Sequence, residues 1–258
     1  MTVYSFRGER LAEHSYLTLR LYLAAFGDRH ERVLAAKLAS EGVKLDEVRI
    51  ALRASFLLHD VGKALRSFQR QFRSCGLGEP RFPYHEALSA YLVYETLLDC
   101  VRQPLAIAAS LAALQHHQAM RSPHAALEEM RRRLELRGGV DEAVVNEIEL
   151  AVEILDSEEL RAIAEALSTA VEKFNEEPRI ELREFTNVIN SWMTGCIPDS
   201  ASREDAMMWR TVRELIPTFT GPLQVADAAA AALVRRGQLR RLGLSYLRSL
   251  LSADTSRL

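Results

Sequence analysis

The sequence predicts an all-α protein, on three observations. Ala, Leu, Arg and Glu, all strong helix formers, dominate its 258 residues. Apolar residues recur at helical spacing, as in Leu17, Leu21, Ala24 and Ala25, or Val48, Leu52, Ser55 and Phe56. No stretch keeps a period of two between turn dipeptides, so no sheet is expected. The 12 Gly and 8 Pro fall well below the average share, which excludes collagen-like, linker-rich and low-complexity disordered chains.

The elements follow in order. The first amphipathic helix opens at Leu11-Ala12-Glu13-His14-Ser15, and a second runs over 28–40. A third, over 46–60, ends in Leu57-Leu58-His59-Asp60-Val61-Gly62-Lys63, where Gly62 is expected to let the chain turn sharply. A helix over 64–73 precedes a break at Gly76-Leu77-Gly78-Glu79-Pro80. Pro83 ends that loop and His85 begins a helix over 85–101. The next, over 104–118, is an apolar run closed by His116-His117. Ser122-Pro123 starts a helix over 122–137, and Gly138-Gly139 stops it. Helices over 141–155 and 157–175 lead to a break at Glu177-Pro178, and one over 180–194 leads to Cys196-Ile197-Pro198-Asp199. Helices over 203–216, 222–236 and 238–252 complete the chain. None of the breaks is long enough for an interdomain linker, and no repeat of fixed period is present. One domain over 1–258 is expected, with a peripheral helical lobe over about 120–215.

A chain of this length buries a large core without metals or disulfides to staple it, so a metal site here would serve chemistry before folding. The net charge of −2 excludes a histone-like binder that relies on charge alone, while leaving room for a local basic groove. Cys75, Cys100 and Cys196 are widely spaced and outside any CxxC pairing, which suggests neither a zinc knuckle nor a disulfide framework. The N-terminus lacks an apolar signal core, and the runs Pro104–Leu114 and Leu223–Val234 are too short to span a bilayer. A soluble, cytoplasmic protein with no membrane partner is expected.

The histidines carry the chemistry. His59-Asp60 sits at the end of an apolar helix, where both side chains can converge on one ion; a helix-end His capped by its neighbour is the plainer alternative. His14, His85 and the doublet His116-His117 also stand at the ends of helical segments, and neutral imidazole is the commonest metal-binding side chain. Asp227 interrupts Val225-Ala226-Asp227-Ala228-Ala229, where burial would be costly unless the carboxylate is paired or metal-bound. His30 sits among charges on a surface turn, and His124 opens a helix; both read as exposed. Arg131-Arg132-Arg133 and Arg235-Arg236…Arg240-Arg241 read as solvated faces, or as phosphate contacts if they flank the cleft. Trp192 and Trp209 read as packing.

Taken in order, these residues resemble the motif series of the HD metal-dependent phosphohydrolase superfamily. More narrowly, they resemble the HD nuclease domain of the CRISPR-associated helicase-nuclease of type I systems. That family shows an early Glu-His-Ser, a His-Asp-x-Gly-Lys, a lone His followed by a small residue, a His-His pair and a late Ala-Asp. This sequence has Glu13-His14-Ser15, His59-Asp60-Val61-Gly62-Lys63, His85 with Ser89, His116-His117 and Ala226-Asp227. Each motif alone is weak; five in order are specific, and they span residues 11 to 230. They fall in the windows 11–118 and 222–236, and 120–215 carries none of them. The chain has no GxxxxGK[ST] phosphate loop, so the resemblance is to a stand-alone nuclease subunit whose helicase is a separate polypeptide.

The resemblance implies an HD-domain helical bundle in which His14, His59 and Asp227 hold one divalent ion. It implies that His85, His116 and His117 hold a second, with Asp60 bridging and Lys63 meeting charge on the scissile phosphate. Such a ligand set suits Mn, Fe, Co or Ni better than Mg, which remains possible. The implied activity is metal-dependent cutting of single-stranded DNA, alongside the helicase and a guide-RNA surveillance complex. Two alternatives stay open: an HD phosphohydrolase of nucleotides or cyclic (di)nucleotides, and a catalytically inactive HD scaffold subunit.

Overall fold

Helix dominates the structure as the composition predicts. The computed structural model describes residues 2–72, 80–117, 122–134, 138–196, 199 and 201–234. Its helices are α1 (Leu11–Ala25), α2 (Gly27–Leu38), α3 (Leu45–Leu58), α4 (Arg66–Gln69), α5 (His85–Leu97) and α6 (Gln103–Gln115). They continue with α7 (Pro123–Leu134), α8 (Ala143–Leu155), α9 (Glu158–Glu176), α10 (Pro178–Thr194) and α11 (Arg203–Val234).

The centre of the bundle is α5 with α6. Every residue of α6 from Pro104 to Leu114 is buried, so the helix is apolar all round and has to be enclosed by others. Alanines at 106, 108, 109, 112 and 113 let its neighbours approach closely, and α3, α5 and α11 pack against it. Helix α1 lies between α11, α8 and α3, while α9 covers α5 and α8. The buried apolar side chains form one continuous cluster that reaches from Val3 to Ala230 and includes those of α8 and α9.

Three local expectations are corrected. A short antiparallel hairpin pairs β1 (Tyr4–Phe6) with β2 (Glu9–Arg10), where no sheet is expected. Strands of three and two residues are too brief to display alternation, and Gly8 turns the chain at φ 76°. The segment expected as one helix over 64–73 is instead a 3-10 turn at Val61–Ala64, the single-turn α4, and a second 3-10 turn at Arg70–Phe72. Finally, the segments 203–216 and 222–236 join in α11, which runs unbroken through Pro217 and Pro222. Each proline removes a ladder hydrogen bond. Burial of Leu215, Phe219, Leu223, Ala226 and Ala230 against the bundle outweighs those losses. The helix expected over 238–252 and the Arg235–Arg241 cluster lie outside the described residues, as do Cys75 and most of the Gly76–Pro80 break. Among the described residues, no helix is long and apolar enough to cross a membrane.

Candidate metal centre

Helices α1, α3, α5, α6 and α11 meet at one point in the core. His59 is the residue after the last turn of α3, His116 the residue after the last turn of α6, and His85 the first residue of α5. His14 comes from the first turn of α1 and Asp227 from α11, whose surrounding alanines bring its backbone close. Tyr84, at φ 66°, bends the chain so that α5 starts with His85 aimed inward.

Gly62 acts differently from the expectation. Its φ is not left-handed, so a sharp turn is not what requires glycine there. A Cβ on Gly62 would overlap the His85 carbonyl oxygen and stand 2.7 Å from the Ser89 nitrogen. The missing side chain lets the 61–64 turn lie directly on the first turn of α5, where the Gly62 N–H donates to Ser89 Oγ at 2.9 Å. That contact sets Asp60 beside His85.

Asp60 is 1% exposed and faces two groups, one with each oxygen. Its Oδ2 lies 3.2 Å from His14 Nε2 and 3.6 Å from His59 Nε2, and accepts from Lys63 Nζ at 2.5 Å. Its Oδ1 lies 2.9 Å from His85 Nε2 and 3.6 Å from His116 Nε2. Asp227 Oδ1 closes the first group at 3.1 Å from His14 Nε2 and 3.5 Å from His59 Nε2. His117 joins the second, its ring centroid 5.1 Å from that of His85 and 3.9 Å from that of His116. In each of the sets His14–His59–Asp60–Asp227 and Asp60–His85–His116–His117, one ligand atom per residue lies within 4.8 Å of the others.

The imidazoles are held from behind. Nδ1 of His59, His85 and His116 each faces the carbonyl three residues earlier, Phe56, Phe82 and Ala113, at 2.9, 2.7 and 2.5 Å. As the N–H donors in those bonds, they leave each Nε2 as a lone pair facing inward. His59 Nε2 and His116 Nε2 are buried and have no hydrogen-bond partner. Unpartnered inward-facing nitrogens around a shared carboxylate fit a divalent cation, which would satisfy them at once.

The charges favour such a guest. Burial alone would push Asp60 up, but Lys63 and the imidazoles hold it well below the usual carboxylate range. Asp227 is likewise held well down, by His14 and His59 against its burial. Burial works to depress His14, yet its bonds to Asp227, Asp60 and Glu9 hold it well above the ordinary histidine value, so a cation bound at Nε2 would take the place of a proton that this negative surrounding attracts. Burial and the neighbouring His116 and His85 push His117 down to about 2, so it stays neutral and able to ligate.

The structure therefore brings together His14, His59, Asp60, Lys63, His85, His116, His117 and Asp227. It places the weaker candidates elsewhere. His124 is exposed on α7. His30 is not on a surface turn: it is half-buried on α2, with Nδ1 3.1 Å from the Tyr22 hydroxyl. Trp192 and Trp209 are buried edge to face, 5.0 Å between centroids. Arg131 and Arg132 pair with Glu128 and Glu129 on their own helix. Cys100 is half-buried, Cys196 exposed, and both are free. One residue at the centre has no sequence signal: Glu9, 1% exposed, whose Oε1 lies 2.8 Å from His14 Nδ1.

A family model described as Cas3, HD domain, matches residues 11–200. That span includes every histidine and Asp60 of the centre, and leaves Glu9 and Asp227 outside. Among solved structures, the CRISPR-associated Cas3 HD domain protein from Methanocaldococcus jannaschii is similar at 18% identity and a TM-score of 0.49. The likeness covers 86% of this chain and 99% of that one. No curated protein matches the chain.

Proposed function

The chain belongs to the Cas3 HD-domain family, and on that premise we propose that it is a two-metal DNase that cuts single-stranded DNA in type I CRISPR interference. Metal-dependent HD hydrolysis is the family's chemistry; the substrate and the number of ions are our reading. The observation that carries it is the division of Asp60, with Oδ2 toward one imidazole group and Oδ1 toward the other. A single-ion site has no use for a second group of three histidines.

In this reading His14, His59 and Asp227 hold one ion, and His85, His116 and His117 hold the other, with Asp60 between them. When bound, a pair of divalent ions supplies Lewis-acid activation of water and of the phosphodiester. The Nδ1 bonds to Phe56, Phe82 and Ala113 keep the rings from turning away. Lys63 stands beside Asp60, where its ammonium meets the negative charge that grows on the phosphate. Its Nζ also lies 5.5 Å from the Phe82 ring centroid, which steadies the side chain at the edge of the centre. The imidazole-rich set favours Mn, Fe, Co or Ni over Mg. A helicase and a guide-RNA complex would deliver the strand.

The test is a cleavage assay on protein stripped with EDTA, with Mn, Mg, Co, Ni, Fe or Zn added back singly. Single-stranded DNA, duplex DNA, RNA and a nucleotide panel are offered in turn. Metal-dependent cutting of single-stranded DNA is the expected result. Turnover of a nucleotide with DNA left intact replaces this reading with a nucleotide phosphohydrolase. Inertness with every metal leaves an inactive scaffold.

A further inference from the structure

His14 differs from the other three inward-facing imidazoles whose Nδ1 partner is resolved. Theirs are neutral backbone carbonyls three residues back, those of Phe56 and Ala113 in the last turns of α3 and α6 and that of Phe82 in the turn before α5. His14 sits in the first turn of α1, where the chain three residues earlier is Leu11 and its carbonyl belongs to the helix. Its Nδ1 meets instead the carboxylate of Glu9, at 2.8 Å and with 1% of that residue exposed. A buried carboxylate is costly unless bonded, and this one lies against the back of a ring whose front faces the centre.

The hairpin accounts for how Glu9 gets there. Glu9 opens β2 and pairs with Phe6 across the turn at Gly8. Gln69 grips β1 by accepting from the Tyr4 N–H at 3.0 Å and donating to the Tyr4 carbonyl at 3.0 Å. The same Gln69 amide donates to the Lys63 carbonyl at 2.7 Å, tying the hairpin to the turn that follows Asp60. On the other side, Glu147 of α8 accepts from the backbone of Val3 and Ala12. The two strands, too small to add to the core, are clamped at both edges around one inward carboxylate.

We propose that Glu9 is a positioning residue for the metal centre: it orients His14 and selectively strengthens ion binding by the His14–His59–Asp60–Asp227 set. The inference rests on the two-ion reading above. By accepting the Nδ1 proton, Glu9 fixes the tautomer that offers Nε2, and its charge makes that nitrogen a better donor to a cation. The set built on His85, His116 and His117 has carbonyls behind His85 and His116, so the two ion sites differ in the support behind their histidines.

The test is a calorimetric titration of the full, metal-stripped chain with Mn²⁺. Wild type is expected to show two binding events, one weakened in His59→Ala and the other in His117→Ala. Glu9→Ala is expected to weaken the His59 event about 10–100-fold while leaving the His117 event unchanged. Glu9→Gln keeps an oxygen for the Nδ1 proton without the charge, and is expected to fall between. The proposal is overturned if Glu9→Ala titrates as wild type, or if both events weaken equally in Glu9→Ala and Glu9→Gln together with a lower melting temperature. A single event in wild type overturns the two-ion reading instead. Glu9 then stands if that event weakens in Glu9→Ala and falls if it does not.

Discussion

Gly62 lies directly on the backbone of Ser89 and donates its N–H to the Ser89 hydroxyl at 2.9 Å, and that contact sets Asp60 beside His85. Gly62→Ala is expected to cost about 1–3 kcal/mol in a urea unfolding curve, as overpacking against α5. The loss of cleavage is expected to exceed what that destabilisation explains, by about 100-fold or more, because Asp60 and His85 no longer face each other at reacting distance. Wild-type cleavage in a stably folded Gly62→Ala chain would contradict this account of the glycine.

Asp60→Ala removes the carboxylate that faces both histidine groups, one with each oxygen. Cleavage is expected to fall to background with every metal, while the far-ultraviolet circular dichroism keeps its helical signal. A variant that folds and still cuts would sink the bridging role of Asp60.

Metal binding to the native state is also expected to stabilise it. At an ion concentration about 100 times Kd the gain is about 2.7 kcal/mol. Thermal melts with and without EDTA should therefore differ for wild type and coincide for Asp60→Ala. Coincident wild-type curves would speak against a resident ion.

His30→Ala is expected to match wild type in the cleavage assay, because His30 bonds to Tyr22 and reaches no part of the centre. Its effect should appear in stability and its pH dependence. Burial pulls the His30 pKa below the ordinary value, with Glu31 opposing weakly, so the unfolded chain takes up the proton more readily. The sign follows: His30 makes stability fall as pH drops below about 6.5, and has no such effect above it. Urea unfolding from pH 7.5 down to 5 should show a shallower decline in His30→Ala than in wild type. A steeper decline would reverse the assignment.

Glu147→Ala takes the acceptor from the Val3 and Ala12 N–H groups, in residues that are 0% and 1% exposed. Two stranded donors should cost about 2–4 kcal/mol in an unfolding titration. Arg10 is 41% exposed, and without it the buried Glu147 carboxylate keeps both backbone donors, so Arg10→Ala should cost well under half as much. Equal losses would mean that the ion pair, and not the backbone bonds, holds the hairpin.

The helical class and the residues that gather at the centre are legible because each gives a local signal. Leu17, Leu21 and Ala24 declare a helix by spacing alone, and Asp227 stands out among alanines. What escaped depends on distant partners. Glu9 lies in a short polar stretch, and only the clamp by Gln69 and Glu147 buries it. Pro217 and Pro222 are breakers by every local rule, and only burial against the bundle carries α11 through them. Gly62 reads in the sequence as a turn glycine, yet the demand for it comes from His85 and Ser89, 23 and 27 residues later.

His14 and Asp227 are in hydrogen-bond contact across 213 residues of chain. During synthesis the ribosome releases α1 first, and the histidines of α3, α5 and α6 follow at intervals. The first histidine group stays open on one side until α11 has emerged, because its closing carboxylate follows every other residue of the centre. A nascent chain therefore carries no finished centre, however much of its core has already condensed. The order of residues alone delays the appearance of a reactive site until the bundle that must enclose it has been translated.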